Sequence, residues 1–452
     1  MPDHPIIPPA PKVHAKDLPS WRLIIGMTRN MLGVWPDHAF DVLVSRSKVL
    51  GLESLLVNDP DAVRHVMGAA ASRYRRPIAV TRPVRPLAGA GLLLSEGQDW
   101  RRQRRMLAPV FNPSSIGALL PHFTAAADGL VRRLERQDRA NLSDAYHDTA
   151  LDAVLRALFS VTPQTQNGAL AAMVRGYITH AGRPNILDGL AKVESDFPFA
   201  SGSRRAFQKA WFAQVDALVA QRRSQPRGAD GRDLLDLLLS ARDPETGAPL
   251  DDAEIRDQSA TMLFAGFETT SRLLFWASYL ICLDPAEQTR LRAEVAAFPP
   301  ERVTSLEDLQ NWPRLRNTLL EALRLYPPAP TLVREAIEAD TVMGEEVQPG
   351  VQVWMSAWVM HRHRKFWGRP TAFMPDRFAG QTSPWISGAF VPFGAGPRIC
   401  IGAGFSLAEA QIILATQLSR FEISLADDRP VLPVALVTTG PDHEPWFKLA
   451  RI

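Results

Sequence analysis

A ten-residue segment, 393–402, concentrates the side chains of this chain that could do chemistry. It reads Phe-Gly-Ala-Gly-Pro-Arg-Ile-Cys-Ile-Gly and holds Cys400, one of only two cysteines in 452 residues. Glycine at this density favours an irregular loop that lets a flat group approach the backbone. The apolar spacing from Phe405 to Phe421 predicts a helix directly downstream, whose free N–H groups would stabilise a thiolate. A lone thiolate on a rigid loop, two residues after the cation of Arg398, suits an axial ligand of heme iron.

This loop resembles the heme-binding loop of the cytochrome P-450 family, the heme-thiolate monooxygenases. The family pattern is Phe-Gly-x-Gly-x-Arg-x-Cys-x-Gly, and its fixed positions are all filled, by Phe393, Gly394, Gly396, Arg398, Cys400 and Gly402. A buried structural cysteine is the alternative, but six matches within ten residues favour the ligand. A zinc site is disfavoured because no second cysteine and no histidine lies nearby. The resemblance implies heme b, with Cys400 as the metal ligand and Phe393, Arg398 and Gly402 in the cofactor-binding loop.

A long helix is predicted from Asp251 to Leu283. Asp251 and Glu254 form a capping box, and the dipeptide Asp-Pro at 284–285 ends the helix. At about 1.5 Å per residue it would run near 50 Å. Its middle is apolar on nearly all sides, which predicts burial. The middle nevertheless contains Ala-Gly-Phe-Glu-Thr-Thr at 265–270, and the two small residues indicate close approach of a cofactor or ligand.

The same helix carries an ionisable residue beside a hydroxyl. Thr269 shares a helix face with Ala265 and can bond its carbonyl, which bends the helix locally. Glu268 and Thr269 resemble the acid–alcohol pair of the family, which delivers protons during oxygen activation. A glutamate facing solvent, with threonine as filler, is the alternative. Beside the Cys400 loop, we interpret Glu268 and Thr269 as catalytic and Ala265 as cofactor-binding.

Two further motifs resemble a structural element of the family. Glu321 and Arg324 have the Glu-x-x-Arg spacing, which puts both charges on one helix face but is weak by itself. Residues 373–378, Phe-Met-Pro-Asp-Arg-Phe, match the downstream Pro-x-Arg-Phe element. The resemblance implies that Glu321, Arg324 and Arg377 form a buried structural network beneath the heme. The loop 361–363 resembles the segment before that element, but histidine stands at 363 where aspartate is common.

Residues 99–105 read Asp-Trp-Arg-Arg-Gln-Arg-Arg. Trp100 and Arg104 can face one side of a helix and resemble the family's Trp-x-x-x-Arg, in which both donate to a heme propionate. Arg334 and Arg398 are the other propionate partners that the resemblance implies. Three arginines of this segment then have no assigned role, namely Arg101, Arg102 and Arg105. They form either a solvated basic face or a docking surface for an acidic electron donor.

Composition and charge narrow the class of protein. A net charge of +3 is too small to indicate nucleic-acid binding. Two cysteines in a chain of this length argue against an oxidising compartment, and Cys282 lies in an apolar helical run typical of core packing. The N-terminus has no signal-peptide pattern, and no run of about 18 apolar residues occurs. We therefore expect a cytoplasmic protein without a transmembrane anchor, of the soluble bacterial type of the family.

The pattern along the chain predicts a mainly α protein with small β sheets, an α+β fold. Residues 1–20 are predicted to be a Pro-rich arm and 21–452 a single heme-binding domain. Residues 77–94, rich in Pro, Gly and Ala, predict a long loop. Strands are predicted within 48–57, within 331–360 and over the last 30 residues. The resemblance implies the cytochrome P-450 fold, with heme between the central helix and the Cys-loop helix.

The resemblance spans essentially the whole chain and implies an enzyme. It would insert one atom of O₂ into a lipophilic small molecule, with electrons from NAD(P)H through a separate ferredoxin or flavodoxin. The chain ends about 50 residues after Cys400, so we expect no fused reductase; we also expect a monomer. A peroxide-driven heme oxygenase is an alternative, but such relatives often replace the acid–alcohol pair. A heme sensor without turnover is disfavoured because the proton-relay residues are present.

The sequence does not identify the substrate. The resemblance implies that the pocket is lined by five parts of the chain, namely the loop at 77–94, the segments within 160–210, the central helix, the residues after Pro330 and the C-terminal turn near Thr438.

Overall fold

The computed structural model describes residues 6–49, 51–161, 167–193, 201–224, 233–380 and 388–452. Within them, helices make up most of the fold and small sheets lie beside them, which confirms the predicted fold class. The helices are α1 (Ser20–Arg29), α2 (Pro60–Arg64), α3 (Ile78–Ala88), α4 (Gly97–Leu107), α5 (Pro113–Ala118), α6 (Leu120–Leu134), α7 (Leu142–Phe159), α8 (Asn167–Thr179), α9 (Ile186–Leu190), α10 (Gly202–Ser224), α11 (Leu234–Ser240), α12 (Asp252–Leu283), α13 (Pro285–Ala297), α14 (Pro313–Leu325), α15 (Ala357–Met360) and α16 (Ala403–Leu418).

The sheets are short, and most strands lie within or at the edge of the predicted segments, but the two-residue strands at 74–75 and 139–140 fall outside them. The strands are β1 (Val44–Val49), β2 (Leu52–Val57), β3 (Tyr74–Arg75), β4 (Arg139–Ala140), β5 (Leu332–Ala336), β6 (Asp340–Val342), β7 (Glu345–Val347), β8 (Gln352–Met355), β9 (Phe421–Leu425), β10 (Pro433–Ala435), β11 (Thr439–Pro441) and β12 (Phe447–Arg451). The largest sheet has the order β1-β2-β8-β5-β3, in which only β2 and β8 pair in parallel. A three-stranded sheet, β4-β12-β9, joins the C-terminal strands to the segment before α7.

The central helix α12 confirms the bounds that its end signals predict. The Asp251 side chain accepts from the Glu254 N–H at 2.7 Å, and the Glu254 side chain accepts from the Asp251 N–H at 3.0 Å, so the capping box is formed. Asp284 then serves as the cap between α12 and α13. Helix α12 packs most extensively against α7 and also contacts α3, α10, α14 and α16. It therefore lies at the centre of the large hydrophobic core.

The N-terminal arm lies against the body of the protein. The Phe373 N–H donates to the Ile6 carbonyl at 2.9 Å, the Tyr326 hydroxyl donates to the Pro9 carbonyl at 2.8 Å, and His14 bonds the Gly33 carbonyl at 2.9 Å. The division into an arm and a single domain stays a prediction.

The prediction of a long loop at 77–94 is wrong, because helix α3 occupies most of it. Pro83 and Pro86 lie inside this helix, where each removes a backbone donor. Side chains from other helices bond the α3 backbone: the Tyr177 hydroxyl donates to the Pro83 carbonyl at 2.7 Å, and the Trp211 indole donates to the Leu87 carbonyl at 2.8 Å. Tertiary packing therefore overrides a local sequence that disfavours a helix.

Candidate heme site

The Cys400 loop is a tightly bonded turn. The Cys400 N–H donates to the Phe393 carbonyl at 2.9 Å, and the Ile399 N–H donates to the Gly396 carbonyl at 3.0 Å. Gly396 has a φ of 66°, and a Cβ at this position would lie 2.1 Å from the Met67 carbonyl oxygen. Only glycine fits there, so the loop is fixed against the segment that follows α2. Helix α16 begins at Ala403, three residues after the cysteine.

The Cys400 side chain is accessible although protein atoms surround it. This combination indicates a thiol that faces an internal chamber and not bulk solvent. Burial raises the pKa of the Cys400 thiol, and it outweighs the opposing effects of the Gly402 N–H and Arg104. The Gly402 N–H thus stabilises the thiolate in the direction that the sequence predicts, but burial has the larger effect. A metal ion would supply the missing positive charge, since metal ligation deprotonates a thiol.

Helix α12 has one accessible face within its buried middle. From Asp257 to Ile281 most residues are buried, but Met262, Ala265, Gly266, Thr269 and Arg272 keep accessible surface. Spacing of three and four places this group along one side of the helix. The Thr269 hydroxyl donates to the Ala265 carbonyl at 2.7 Å, as predicted.

Gly266 has a packing role that the sequence interpretation missed. A Cβ on Gly266 would lie 2.9 Å from Cγ2 of Val154 on α7, so glycine lets α12 and α7 pack closely. The prediction that both small residues serve ligand approach is therefore incomplete, because Gly266 is needed for helix packing.

Helix α12 contacts helix α16, which directly follows the Cys400 loop. The hydroxyls of Thr270 and Ser406 lie 3.0 Å apart, and Ser406 is in the first turn of α16, six residues after Cys400. The catalytic pair of the sequence prediction and the predicted metal ligand are thereby brought to neighbouring parts of the fold.

An arginine cluster surrounds Glu96. Arg76 pairs with Glu96 at 2.8 Å, Arg398 pairs with the same carboxylate, and Arg334 is buried nearby. Burial lowers the pKa of Arg334 to about 9, with Arg76 and Arg398 adding to the shift. Three cations and one anion leave two positive charges, which suits a ligand with two carboxylates. Arg76 was missed by the sequence reasoning, since it belongs to no motif.

Arg334 makes no ion pair among the residues that the structure describes, and its guanidinium donates to its own neighbour, the Val333 carbonyl, at 2.9 Å. Arg398 lies over the ring of Trp100, 4.3 Å from its centroid. Arg104 donates to the Ile399 carbonyl at 3.0 Å, which holds α4 against the Cys400 loop. The predicted propionate partners thus gather around one edge of this loop.

Glu268 lies in a buried network that only the tertiary structure reveals. Its Oε1 accepts from Arg272 at 3.0 Å and from the Thr438 hydroxyl at 2.8 Å, and its Oε2 contacts Nε2 of His147 at 3.0 Å. No hydrogen bond joins Glu268 to Thr269 within the described part of the chain. Sequence reasoning missed His147, which carries no local signal. The four-residue spacing to Arg272 could have indicated one partner.

Burial alone would raise the pKa of Glu268, but Arg272 and His147 oppose this effect. Together with the hydrogen bonds from His147 and Thr438, they lower that pKa to about 2. The group is therefore a carboxylate at neutral pH.

The predicted buried network of Glu321, Arg324 and Arg377 is present in the structure. Glu321 and Arg324 are fully buried, and Arg324 donates two hydrogen bonds to Glu321 at 2.7 and 2.8 Å. Arg377 donates to Glu321 at 3.1 Å, and the Met374 N–H donates at 2.8 Å. Nearby, the His361 ring accepts from the Val391 N–H at 2.9 Å, and burial lowers its pKa to about 3. His361 is therefore a neutral structural residue.

The basic face of α4 divides into paired and unpaired arginines. Arg102 pairs with Glu254 at the start of α12, and Arg105 pairs with Glu245 at 2.6 Å. Arg101 is exposed and makes no ion pair with any described residue. Of the three arginines that sequence could not separate, Arg101 alone is free to meet a partner.

Comparisons with known proteins agree with this geometry. The cytochrome P-450 family model matches residues 43–440. The chain is 32% identical over 347 residues to cyclooctat-9-en-7-ol 5-monooxygenase of Streptomyces melanosporofaciens, covering 75% of this chain and 74% of the relative. It is 30% identical over 373 residues to a cytokinin hydroxylase of Arabidopsis thaliana, covering 78% and 71%. The crystal structure of the cytochrome P450DA heme domain superposes with a TM-score of 0.79 at 25% identity, covering 99% of this chain and 98% of that one.

The chain belongs to the cytochrome P-450 family. It is a cytochrome P-450 monooxygenase that uses heme b. The residues present fit this cofactor: Cys400 offers a thiol to an internal chamber, and the arginine cluster carries the charge that two propionates would neutralise. In the part of the chain that the structure describes, no helix combines the length and apolar character needed to cross a membrane.

Proposed function

We propose that this enzyme inserts one oxygen atom from O₂ into a lipophilic small molecule, with electrons from NAD(P)H delivered by a separate ferredoxin- or flavodoxin-type protein. The presence of Thr269 on the accessible side of the central helix, next in sequence to the buried carboxylate of Glu268, carries this proposal. Peroxide-driven oxygenation does not need a positioned proton-delivery pair, and a sensor needs no such pair at all. We also propose that the enzyme acts as a monomer.

Each predicted site residue has a proposed task. Cys400 binds the iron, and Phe393 and Gly402 fix the loop around it. Trp100, Arg104, Arg334 and Arg398 bind the propionates, and Ala265 contacts the cofactor from the α12 side. When bound, heme supplies the oxygen-activating chemistry, whose O–O cleavage the thiolate favours.

Glu268 and Thr269 would move protons on the α12 side. The Thr269 hydroxyl already donates to the Ala265 carbonyl, which orients its oxygen as an acceptor for an incoming proton. Glu268 would receive a proton at its carboxylate and pass it towards that hydroxyl. This transfer needs a change of Glu268 rotamer or bridging water, because the two side chains are not bonded to each other in the described structure.

A lipophilic substrate is supported by the lining of the accessible face. Met262 and Ala265 offer apolar surface there, and Val437 is a partly buried apolar residue beside Thr438 in the C-terminal turn. Two relatives, named cyclooctat-9-en-7-ol 5-monooxygenase and cyclooctatin synthase, point to a hydrocarbon-rich substrate class. Parts of the predicted pocket segment within 160–210, namely 162–166 and 194–200, lie outside the described residues.

The test compares Thr269→Ala with Thr269→Ser. The alanine variant should bind substrate and consume NAD(P)H, but more of the reducing power should appear as hydrogen peroxide. The serine variant keeps the hydroxyl and should stay close to the unmutated enzyme. Unchanged product per NAD(P)H in Thr269→Ala would contradict the proton-delivery role. Turnover with peroxide alone would favour the peroxide-driven alternative, and absence of turnover with either would favour the sensor.

A further inference from the structure

His147 is a buried histidine whose two ring nitrogens both face oxygen acceptors. Its Nδ1 lies 2.8 Å from the Ser143 carbonyl in the same helix, and its Nε2 lies 3.0 Å from Oε2 of Glu268. A backbone carbonyl accepts but cannot donate, so Nδ1 carries a hydrogen. A carboxylate also only accepts, so Nε2 carries the second. The geometry therefore requires an imidazolium ring as long as Glu268 is ionised.

The two cations beside Glu268 differ in what they can give. Arg272 does not release a proton in proteins, so it supplies only charge and a hydrogen bond. Histidine is the side chain that exchanges protons near neutral pH. Thr438 contributes a neutral hydroxyl that is already used as a donor. Of the described groups that bond the Glu268 carboxylate, only His147 is an acid that can give it a proton near neutral pH.

The net charge of His147, Glu268 and Arg272 favours proton transfer from His147 to Glu268 over protonation of Glu268 from elsewhere. With His147 and Arg272 charged and Glu268 ionised, the three groups carry one net positive charge. Moving the proton from His147 to Glu268 leaves that net charge unchanged. A proton arriving at Glu268 from elsewhere, with His147 still charged, would raise it to two. Burying a further unpaired charge is costly, and both side chains are almost fully buried.

We propose that His147 is a positioning residue that stores the proton passed on by Glu268, an inference that rests on the proposed role of Glu268. In the step, the Nε2–H bond breaks and an O–H bond forms on Oε2, so the imidazolium becomes a neutral ring and the carboxylate a neutral acid. Nδ1 keeps its hydrogen and its bond to Ser143. After Glu268 has passed its proton towards Thr269, one proton taken up from bulk solvent, where a hydronium ion becomes water, forms the Nε2–H bond again and restores the imidazolium.

The first test measures protonation directly and does not depend on activity. Holoenzyme labelled with ¹⁵N in its histidine rings is examined by NMR in the diamagnetic, reduced CO-bound state, with His147→Gln used to assign the signal. At neutral pH both ring nitrogens of His147 should show the protonated chemical shift. A neutral tautomer, with one bare nitrogen, would overturn the proposal.

The second test separates this inference from the proposed function. His147→Gln can still donate a hydrogen bond but has no proton to give, so product per NAD(P)H should fall about tenfold or more. Its substrate affinity and its thiolate CO band should be unchanged. His38→Gln, at a histidine whose side chain is 43% exposed, is the control. If product per NAD(P)H is normal in His147→Gln but low in Glu268→Gln, the inference about His147 is overturned and the proposed role of Glu268 is not. If product per NAD(P)H is normal in both variants, the proposed role of Glu268 is overturned as well.

Discussion

Glu268 and Thr438 are 170 residues apart in the chain, yet the Thr438 hydroxyl donates to Oε1 of Glu268 at 2.8 Å. This bond connects the middle of the central helix to the C-terminal turn, between β10 and β11. The turn is predicted to line the substrate pocket. Glu268, the proposed proton-delivery residue, is thus bonded by a residue of the turn that is predicted to line the substrate pocket.

Thr438→Val should weaken this connection. A hydrogen bond to a charged group contributes about 2 kcal/mol, so the free energy of unfolding should fall by about that amount. Thr438→Ser keeps the hydroxyl and should retain most of the stability. Chemical unfolding of the two variants measures the difference, and equal stability of both would contradict a contribution from this bond.

Glu321→Ala should impair folding and heme retention. It leaves Arg324 and Arg377 without their shared carboxylate in a buried site, which costs about 3–5 kcal/mol. Glu422→Ala, which removes an exposed ion pair with Arg292, is the matched control and should cost less than about 1 kcal/mol. Similar stabilities and heme contents of the two variants would argue against a structural role.

Cys400→His should still fold, because the loop is fixed by backbone hydrogen bonds and by Gly396. Histidine is also an axial ligand, so heme binding can survive while the thiolate is lost. The absorption spectrum of the reduced, CO-bound form measures this change. Survival of the long-wavelength thiolate band would show that Cys400 is not the ligand.

Acid should destabilise the protein partly through Glu268. Its pKa is lowered in the folded state from 4.5 to about 2. Its contribution is therefore fully present above about pH 4.5 and is lost as the pH falls towards 2, a change of about 3 kcal/mol. The stability advantage of the unmutated protein over Glu268→Gln should shrink over this window. An advantage that does not change between pH 5 and pH 3 would contradict the assignment.

Glu409 is the control, because its contribution to stability should change with pH in the opposite direction to that of Glu268. Burial raises the pKa of Glu409 well above 4.5, and Thr270 opposes this effect only in part. Its neutral form is therefore favoured by folding, and the protein should lose stability from this group as the pH rises above about 4.5. Glu409→Gln should accordingly gain stability relative to the unmutated protein as the pH is raised, measured by the same unfolding experiment.

Arg101→Glu should slow electron transfer from an acidic donor protein without changing substrate affinity. Complementary charge mainly raises the association rate, and salt screens it, so added salt should slow the unmutated enzyme similarly. Arg29→Glu is the control on α1, because Arg29 is exposed and makes no ion pair with a described residue. Arg102 is a poor test because its charge reversal would face Glu254. Rates that do not respond to Arg101→Glu or to salt would leave this arginine as a solvated residue.

The sequence by itself determined the parts of the molecule that depend on neighbours a few residues away. The spacing around Cys400 identified the loop, the capping box at Asp251 and Glu254 gave the start of α12, and the distribution of helical and strand patterns gave the fold class. The four-residue spacing also placed Thr269 over the Ala265 carbonyl. Caps, turns and helix faces are local, so short stretches of sequence specify them.

Only the tertiary structure decided which distant groups meet. His147 pairs with Glu268 across 121 residues, and Arg76 joins Arg398 at Glu96, although neither His147 nor Arg76 belongs to a motif. Helix α3 forms although it contains two prolines, because side chains of other helices donate hydrogen bonds to its backbone carbonyls. Burial raises the pKa of Cys400, whereas the charges of Arg272 and His147 overcome burial and lower the pKa of Glu268, and both effects depend on groups brought together by packing. These outcomes follow from close packing across the whole chain, which no local window of sequence contains.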